Sequence, residues 1–356
     1  MKIAYIIPSL ANAGPIIVVR DLVKLMTFHN HQCVVFYFDE KNELSFNCEL
    51  IRISFKSNIN FNDYDLVHTH GARPDLYVFL KKTYNVKTVF ISSIHSYIFE
   101  DYKYTYKNKF KSFILGHLSL LFIRRHDSLI VLSRHAVQYY TKYIPSHKIL
   151  YAYNTRIIDN IEELSDQEKQ ELMNFKGDSI LLGANCCLSH RKGIDQVIKI
   201  LPHLEDYKLF LVGEGKDKID LMKIARDLKV EDKVYFAGYK FNAYRYLKYY
   251  DVYVMPSRSE GFPLSLLEAA SFAKNVVCSN IPIFKEVFTT DEVAEFVLDD
   301  KTSLINAIKT STYNIKMRIN IKLRFDKDYS PECIYDRYEY LYTKTIEQKK
   351  NNNYTR

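Results

Sequence analysis

The sequence predicts an α/β protein built from two doubly wound domains, each with a parallel sheet. Short apolar, β-branched segments alternate with longer helix-compatible segments, which is typical of βαβ units. This alternation occurs twice, first from KIAYIIP to TVFISSIH and again from SILLGAN to NVVCSN. The polar stretch between the two series, NTRIIDNIEELSDQEKQELMNFKGD, predicts a linker followed by an amphipathic helix. We therefore expect two Rossmann-like domains, 1–158 and 159–332, that face each other across a cleft.

The composition is that of a globular chain with a packed core. Of its 356 residues, 47% are hydrophobic and 26% are charged, and a chain of this length suggests about two domains. With 10 Gly, 9 Pro and no repeating period, the sequence excludes a solenoid, a collagen-like chain and a disordered scaffold.

The cysteines and the amino terminus predict a cytoplasmic protein. The six cysteines are scattered without a CxxC pair, which disfavours both a zinc site and a secreted disulfide framework. The apolar start MKIAYIIPSLANAGPIIVV resembles a signal peptide, but Pro8 interrupts it, so a first buried strand is the better interpretation.

Residues 102–125 combine positive charge with an apolar segment. The net charge is +8, and the whole excess lies in residues 1–155. The run FILGHLSLLFI is too short to cross a bilayer, but a basic amphipathic segment can lie on an anionic membrane surface. The alternative is a half-buried helix with a solvated basic face. The flanking cations are Lys103, Lys107, Lys109, Lys111, Arg124 and Arg125.

The segment SRSEGFPLSLLEAA places two carboxylates next to a predicted helix start. DVYVMPS reads as a strand, so Glu260 and Gly261 follow its carboxyl end, where ligands of parallel sheets bind. The helix entry from Gly261 to Leu264 offers backbone N–H groups to an anion. Glu268 lies just over two helical turns beyond Glu260, and a carboxylate pair can accept hydrogen bonds from vicinal sugar hydroxyls. The alternative is that Glu260 caps the helix and Glu268 is a surface acid.

Other predicted strand ends carry cations and glycines. NCCLSHRKGID places Arg191 and Lys192 after a strand and before a helix, where adjacent cations suit a diphosphate. LVGEGK falls short of a dinucleotide fingerprint and is weak evidence by itself, and FAGYKFN adds Gly238 after another strand.

The amino-terminal half supplies one glycine loop and three histidines at strand ends. PSLANAGP ends near Gly14, where the backbone can approach a phosphate closely. His68, His70 and His95 suggest a metal, but no HExxH motif or acidic cluster accompanies them, so we expect no metal site. His95 is expected instead to donate to a sugar hydroxyl or a phosphate.

The last predicted helix, 333–350, has Tyr, Ile and Leu at helical spacing. We expect it to pack back on the amino-terminal domain rather than to bind a ligand.

The order of these motifs resembles the retaining glycosyltransferases of family 4, the glycosyl transferases group 1, which have the GT-B fold. The likeness covers most of the chain. The motifs that carry it are NAGP, HTHGARPDL, SSIHS, VLSRH, YNTRIID, HRKGIDQVI, KLFLVGEGK, VYFAGY, YYDVYVMPSRSEGFPLSLLEAA and NVVCSNIPIFKEVF.

The resemblance implies a nucleotide-sugar donor held mainly by the carboxyl-terminal domain, and it implies a role for each matched residue. Glu268 would hold the ribose hydroxyls, Glu260 the hydroxyls of the donor sugar, and Lys192 the diphosphate. Gly14 would approach the diphosphate and His95 the donor sugar from the other domain. Backbone contacts to the sugar, the phosphate or the nucleobase are implied for Gly238, Tyr239, Lys240, Gly261, Phe262, Pro263 and Leu264.

Two departures from the family pattern stand out. The first loop has Ala13 and Gly14 where the family has paired glycines. The arginine that the family places five residues before the lysine is replaced by Cys187. Loss of such a charge-assisted contact costs about 1.5 to 3 kcal/mol, unless Arg191 takes its place.

The expected function is transfer of a hexose or N-acetylhexosamine, with retention of configuration, from a nucleotide sugar such as a UDP-sugar. The acceptor would be a glycan or lipid-linked intermediate of cell-surface polysaccharide synthesis, at the inner face of the cell membrane. We expect no other cofactor and no nucleic-acid partner, because the basic residues form no known recognition module. The alternatives are a non-catalytic binding subunit of the same fold, suggested by Cys187, and an epimerase, whose catalytic acids we cannot place.

Overall fold

The computed structural model of the chain describes residues 1–83, 86–106, 108–158 and 162–354. The described chain divides into two compact units, Met1–Ile157 with Tyr329–Arg356, and Ile158–Asp328. Two features of the sequence prediction touch residues outside this description. Lys107, one of the cations near the apolar run, is not described, and the expected boundary between 158 and 159 adjoins the undescribed residues 159–161.

The first unit contains one parallel sheet, with the described strands in the order β3-β2-β1-β4-β5-β6-β7. Its strands are β1 (Lys2–Leu10), β2 (Gln32–Asn42), β3 (Glu49–Arg52), β4 (Leu66–His70), β5 (Val89–Ile94), β6 (Ser128–Val131) and β7 (Ile149–Tyr151). Its first helices are α1 (Gly14–Phe28), α2 (Ala72–Lys81), α3 (Ile98–Thr105), α4 (Lys109–Ile123) and α5 (Arg134–Tyr140).

Burial explains why the first segment forms a strand. Residues Ile3–Ile7 of β1 are fully buried, and β1 pairs in parallel with both β2 and β4. A strand that is covered on both faces reads as a continuous apolar run. Pro15 then lies in the first turn of α1, where its fixed φ favours helix and its missing N–H costs nothing.

The second unit contains another parallel sheet, with the described strands in the order β10-β9-β8-β11-β12-β13. The helices are α6 (Asp166–Lys176), α7 (Ile194–Ile200), α8 (Lys218–Asp227), α9 (Leu264–Ser271), α10 (Pro282–Val287), α11 (Lys301–Ser311) and α12 (Ile315–Asp328). The strands are β8 (Ile180–Asn185), β9 (Tyr207–Val212), β10 (Val234–Phe236), β11 (Val252–Met255), β12 (Asn275–Ser279) and β13 (Ala294–Phe296). The predicted α/β class with two doubly wound parallel sheets is confirmed.

The strand order of the second unit locates its binding crevice. Strand β8 pairs with β9 on one side and with β11 on the other, so the direction of winding reverses between β8 and β11. Ligands of doubly wound sheets bind outside the carboxyl ends of the strands at such a switch point. The loops that follow β8 and β11 are therefore where a site is expected.

The helix predicted in the connecting segment is α6. Ser165 and Glu168 form a capping box at its start, since the serine hydroxyl accepts from the Glu168 amide and the glutamate accepts from the Ser165 amide.

The chain returns to the first unit through α13 (Pro331–Tyr354), which packs on α1 and on β5. Tyr338 and Tyr342 on this helix are fully buried. Within the described residues, no helix combines the length and the apolar character needed to cross a membrane.

Candidate functional site

The loops after β8 and β11 are bound directly to each other. The Arg258 amide donates to the carbonyl of Arg191 at 2.8 Å, and the Arg258 guanidinium donates to the carbonyl of His190 at 2.9 Å. Asp195 on α7 in turn holds the Arg258 guanidinium at 2.8 and 3.1 Å. These contacts fix the position of one loop relative to the other.

Gly193 permits this close approach. Its φ is +69°, and a Cβ at this position would lie 1.9 Å from the carbonyl oxygen of Pro256. Both the left-handed backbone and the lack of space exclude a side chain here. The Gln196 amide group bonds to the same Pro256 oxygen at 2.8 Å, so the turn brings Lys192 against the loop after β11.

Glu260 is the centre of the cluster. Its carboxylate is buried, with the side chain only 5% exposed. The Lys192 ammonium and the Ser257 hydroxyl each donate to Oε1 at 2.6 Å. Burial alone would raise the pKa of Glu260, but the charges of Lys192 and Arg191 outweigh this effect and hold the pKa below its usual value. Glu260 is therefore ionised at neutral pH and is a weak base.

Arg191 joins the same cluster from the β8 side. Its guanidinium donates to the Ser259 carbonyl at 3.1 Å and lies 3.4 Å from Oε2 of Glu260. Cys187, where the family pattern has arginine, is an exposed free thiol. The structure thus gathers two cations around one buried carboxylate at the switch point, an arrangement that can bind a phosphate group and accept hydrogen bonds from hydroxyls.

The start of α9 does not offer all of its backbone N–H groups to an anion. The Leu264 amide donates to the Phe262 carbonyl at 3.1 Å, and the Pro263 carbonyl accepts from the amides of Leu266 and Leu267 at 3.0 and 3.3 Å. Pro263 has no N–H to offer. A phosphate contact through Leu264 would have to replace its present bond, whereas Gly261 and Phe262 precede these turns of the helix.

Neither acid fits the alternative interpretation of a cap and a surface acid. The N-cap of α9 is Pro263, whose side chain makes no capping hydrogen bond. Glu260 instead contacts Lys192 and Ser257. Glu268 is half-buried, and its charge adds to burial in raising the pKa of Tyr253 on β11. Glu268 is therefore not a fully exposed surface acid.

The glycines of LVGEGK serve close backbone packing. A Cβ on Gly213 would lie 1.9 Å from the Cys186 carbonyl, and one on Gly215 would lie 2.2 Å from the Leu188 carbonyl. The Gly213 amide donates to the carbonyl of Gly238 at 2.8 Å. The loops after β8, β9 and β10 therefore form one continuous rim.

Gly238 begins the stretch predicted to lie against the nucleobase. It has a φ of +74°, and the Tyr239 side chain that follows is exposed. The Lys240 ammonium lies 3.3 Å from the Glu168 carboxylate of α6, so its side chain is paired with a helix rather than directed to a phosphate. The predicted contacts of this stretch through its backbone stay a prediction.

Gly14 and His95 lie in the first unit. Gly14 is the exposed first residue of α1, and His95 follows β5 with its Nε2 2.8 Å from Nδ1 of His70. Burial lowers the pKa of His95 to about 4, so the ring is neutral at physiological pH. Their contacts with a donor stay a prediction.

The histidines of this unit are arranged for hydrogen bonding. Nδ1 of His68 lies 2.7 Å from the Tyr342 hydroxyl, and Nε2 lies 2.8 Å from the Ser93 hydroxyl. Both nitrogens of His68 are thus occupied. Among the described residues, no group of three or more His, Cys, Asp or Glu side chains is placed to hold a metal ion.

Sequence reasoning missed Ser257, which donates to Glu260. It also missed Gln196 and Arg258, which hold the two loops together. Ser257 directly precedes the glutamate loop, so its position at a strand end was the only available signal.

Comparisons with known proteins show which family and fold this chain resembles. The family described as glycosyl transferases group 1 matches residues 165–321. The O-antigen biosynthesis glycosyltransferase WclY of Escherichia coli is 34% identical over 334 residues, which cover 91% of this chain and 92% of that protein.

Solved structures of GT-B glycosyltransferases share the fold. Anabaena HepE in complex with UDP and glucose superposes with a TM-score of 0.79 at 14% identity, covering 96% of this chain and 99% of that one. Sucrose-phosphate synthase from Thermosynechococcus elongatus gives a TM-score of 0.78 at 18% identity, with 98% of this chain and 100% of that chain covered.

Proposed function

This chain belongs to the glycosyl transferases group 1, and from that premise we propose that it transfers a hexose or N-acetylhexosamine from a nucleotide sugar with retention of configuration. The observation that carries the proposal is the cluster of Lys192, Arg191 and Glu260 at the switch point of the second unit. Two cations beside a carboxylate match the two ends of the donor, a diphosphate and a polyhydroxylated sugar.

Lys192 and Arg191 bind the diphosphate in this proposal. Without donor, both cations pair with the Glu260 carboxylate, which keeps them in place at the strand end. When the donor binds, its diphosphate also pairs with these two cations, and their hydrogen bonds to Glu260 lengthen. Arg191 supplies the planar guanidinium that the family pattern places at position 187, so the exposed Cys187 is not required for phosphate binding.

Glu260 accepts hydrogen bonds from hydroxyls of the donor sugar, and Glu268 accepts them from the ribose. Gly261, Phe262, Pro263 and Leu264 form the wall of the site between these two acids. The lowered pKa of Glu260 supports a role in hydrogen bonding and charge balance rather than as a general base.

The chemical step needs no protein nucleophile. The bond from the sugar C1 to the diphosphate oxygen breaks, the acceptor hydroxyl oxygen bonds to C1 on the same face, and the hydroxyl proton passes to the departing phosphate oxygen. Charge accumulates on the diphosphate as it leaves, and Lys192 and Arg191 stabilise it there. His95 and Gly14 contact the donor sugar and the diphosphate.

UDP is the proposed nucleotide, and a glycan or lipid-linked intermediate of a cell-surface polysaccharide is the proposed acceptor. The support for UDP is its presence in the HepE structures of the same fold. The support for the acceptor is the relative whose name assigns it to O-antigen biosynthesis.

Two measurements test the function. A thermal-shift panel of UDP, GDP and ADP, each free and as its glucose conjugate, is expected to show stabilisation by the uridine compounds. A transfer assay with the stabilising donor, followed by NMR of the product's anomeric proton, is expected to give the configuration of the donor. An inverted product would overturn the retaining assignment, and stabilisation by GDP or ADP alone would overturn UDP.

We also propose that α4 lies on the anionic inner face of the cell membrane. Its outward face is apolar rather than basic: Phe110 is 73% and Phe113 58% exposed, and Ile114, Leu118 and Leu121 continue the same stripe. The inward face combines three small residues with Leu120 and Ile123, and a Cβ on Gly116 would lie 2.4 Å from the Phe99 ring. A tightly packed inner face and an exposed apolar outer face suit insertion at an interface.

The cations near α4 complete the match to an anionic surface. Lys109 and Lys111 are exposed at its start, and Arg124 is exposed at its end. A cavity of about 540 Å³ beside that end is lined by Arg124, Lys142 and Lys148. Arg125, in contrast, donates to the carbonyls of Phe79 and Lys82 and faces the protein. Each lysine or arginine close to an anionic membrane surface contributes about 1 kcal/mol to binding.

A vesicle assay tests the membrane proposal. The double variant F110S/F113S removes apolar area worth about 3 kcal/mol, so binding to vesicles containing phosphatidylglycerol should fall about 100-fold. The matched control is Ile219→Ser, which removes a 76% exposed apolar side chain from α8 of the second unit. Equal vesicle binding by the wild type and the double variant would contradict the proposal.

A further inference from the structure

Three histidines at the ends of β4 and β5 form a connected series in the first unit. The rings of His68 and His70 make a tilted contact with centroids 4.2 Å apart, and Nδ1 of His70 lies 2.8 Å from Nε2 of His95. His68 is itself clamped by Tyr342 on α13 and by Ser93 on β5. The His70 ring therefore lies between His95 and a His68 ring that is held on two sides.

His70 has two nitrogens in very different surroundings. The residue is 1% exposed, and its Nδ1 has a hydrogen-bond partner in His95. Nε2 is buried and lacks a partner within the described part of the chain. Burial, together with the neighbouring histidines, lowers the pKa of His70 well below its usual value, so the ring is neutral and carries one proton.

The position of that proton follows from the cost of burying it. A buried N–H without an acceptor loses its hydrogen bond to water and gains nothing, and such orphaned donors are rarer in proteins than unpaired acceptors. The proton of His70 therefore lies on Nδ1, where it donates to Nε2 of His95. Because His95 is also neutral and accepts at Nε2, its own proton lies on Nδ1.

We infer that His70 is a positioning residue that fixes the tautomer of His95, so that His95 presents its Nδ1–H as a hydrogen-bond donor. His95 is half-buried, whereas His70 is enclosed. If His95 contacts the donor sugar, a role that rests on the function proposed above, it gives a hydrogen bond to a sugar oxygen and takes none from a sugar hydroxyl. The site then favours a sugar with an acceptor oxygen at that position.

The tautomer can be measured directly in the wild-type protein. Long-range proton–nitrogen correlation NMR of histidine labelled with ¹⁵N distinguishes a protonated from an unprotonated ring nitrogen. At pH 7.5 we expect His70 and His95 both to be protonated at Nδ1. Protonation of His95 at Nε2 would overturn the inference. This readout does not depend on turnover, so it separates a wrong tautomer from a wrong proposed function.

Two variants at position 70 test the positioning role. His70→Asn keeps an N–H near the place of Nδ1, so His95 should keep its tautomer and kcat/KM should stay within about threefold of the wild type. His70→Leu removes the donor, so His95 should populate both tautomers and kcat/KM should fall about tenfold, the scale of one hydrogen bond. Equal losses in the two variants, with His95 unchanged in tautomer, would overturn the inference. If His70→Leu fails to fold, the wild-type spectrum and the Asn variant still decide.

Discussion

Replacing Glu260 with Gln is expected to separate recognition of the donor sugar from binding of the diphosphate. The amide keeps the size of the side chain and can still accept the hydrogen bond from the Ser257 hydroxyl. It removes the negative charge that pairs with the Lys192 ammonium at 2.6 Å and with the Arg191 guanidinium at 3.4 Å. The variant therefore leaves two cations close together without their carboxylate.

The structure sets the size of both effects. Breaking a fully buried ion pair by removing one partner costs about 3 to 5 kcal/mol. Since the side chains of Lys192 and Arg191 keep 15% and 30% exposure, we expect a loss of about 2 kcal/mol in the free energy of unfolding. For the donor sugar, a charge-assisted hydrogen bond becomes a neutral one, which costs about 1 to 2 kcal/mol, or about 5- to 30-fold in kcat/KM.

Free UDP should respond in the opposite way. The two cations have lost their internal counter-ion, so UDP should bind the variant at least as tightly as the wild type and should stabilise it more. Titration calorimetry with UDP measures binding of the diphosphate, and steady-state kinetics with the UDP-sugar measures recognition of the donor sugar. A variant that binds UDP ten times more weakly, or one that keeps full kcat/KM, would refute the reasoning.

Further predictions concern the turn, the second cation and acid stability. Gly193→Ala should lower the free energy of unfolding in urea by more than 3 kcal/mol, because its Cβ would meet the Pro256 carbonyl, whereas Gly177→Ala, with a φ of +52° and open space, should cost about 1 kcal/mol. Arg191→Ala should weaken UDP binding about tenfold in calorimetry, and an unchanged affinity would remove Arg191 from the site. Acid should destabilise the first unit as the pH falls from about 6.5 towards 4, because four histidines have pKa values lowered by burial and bind protons only after unfolding. Asp75, whose pKa burial raises to about 7, takes up one proton in the fold. The net difference of about three protons gives a slope of about 4 kcal/mol per pH unit in urea titrations, and a flat profile would contradict it. The four histidines are His68, His70, His95 and His126.

Much of the fold follows from local patterns in the sequence, whereas the strand order does not. Continuous apolar runs predict buried parallel strands, as β1 illustrates. Lys192 and Glu260 could each be placed at a strand end from the sequence. Their contact could not be predicted, because it depends on β8 and β11 being neighbours although they are far apart in the chain.

The outward face of α4 shows a second limit of sequence patterns. FILGHLSLLFI looks apolar nearly all round, so periodicity does not show which side faces the protein. The inner face contains the small residues Ser112, Gly116 and Ser119 together with Leu120 and Ile123, and the other large apolar side chains stay partly or largely exposed. The exposed Lys109, Lys111 and Arg124 are compatible with the alternative of a half-buried helix as well as with a membrane contact.

The central claim is that Lys192 and its neighbours at the switch point bind the diphosphate of a nucleotide sugar. Calorimetric titration of UDP into the wild type, Lys192→Ala and Lys223→Ala tests it most directly, since Lys223 is an exposed lysine on α8 of the same unit. We predict that the wild type and Lys223→Ala bind with equal affinity and that Lys192→Ala binds at least ten times more weakly. Equal affinity in all three proteins would contradict the account.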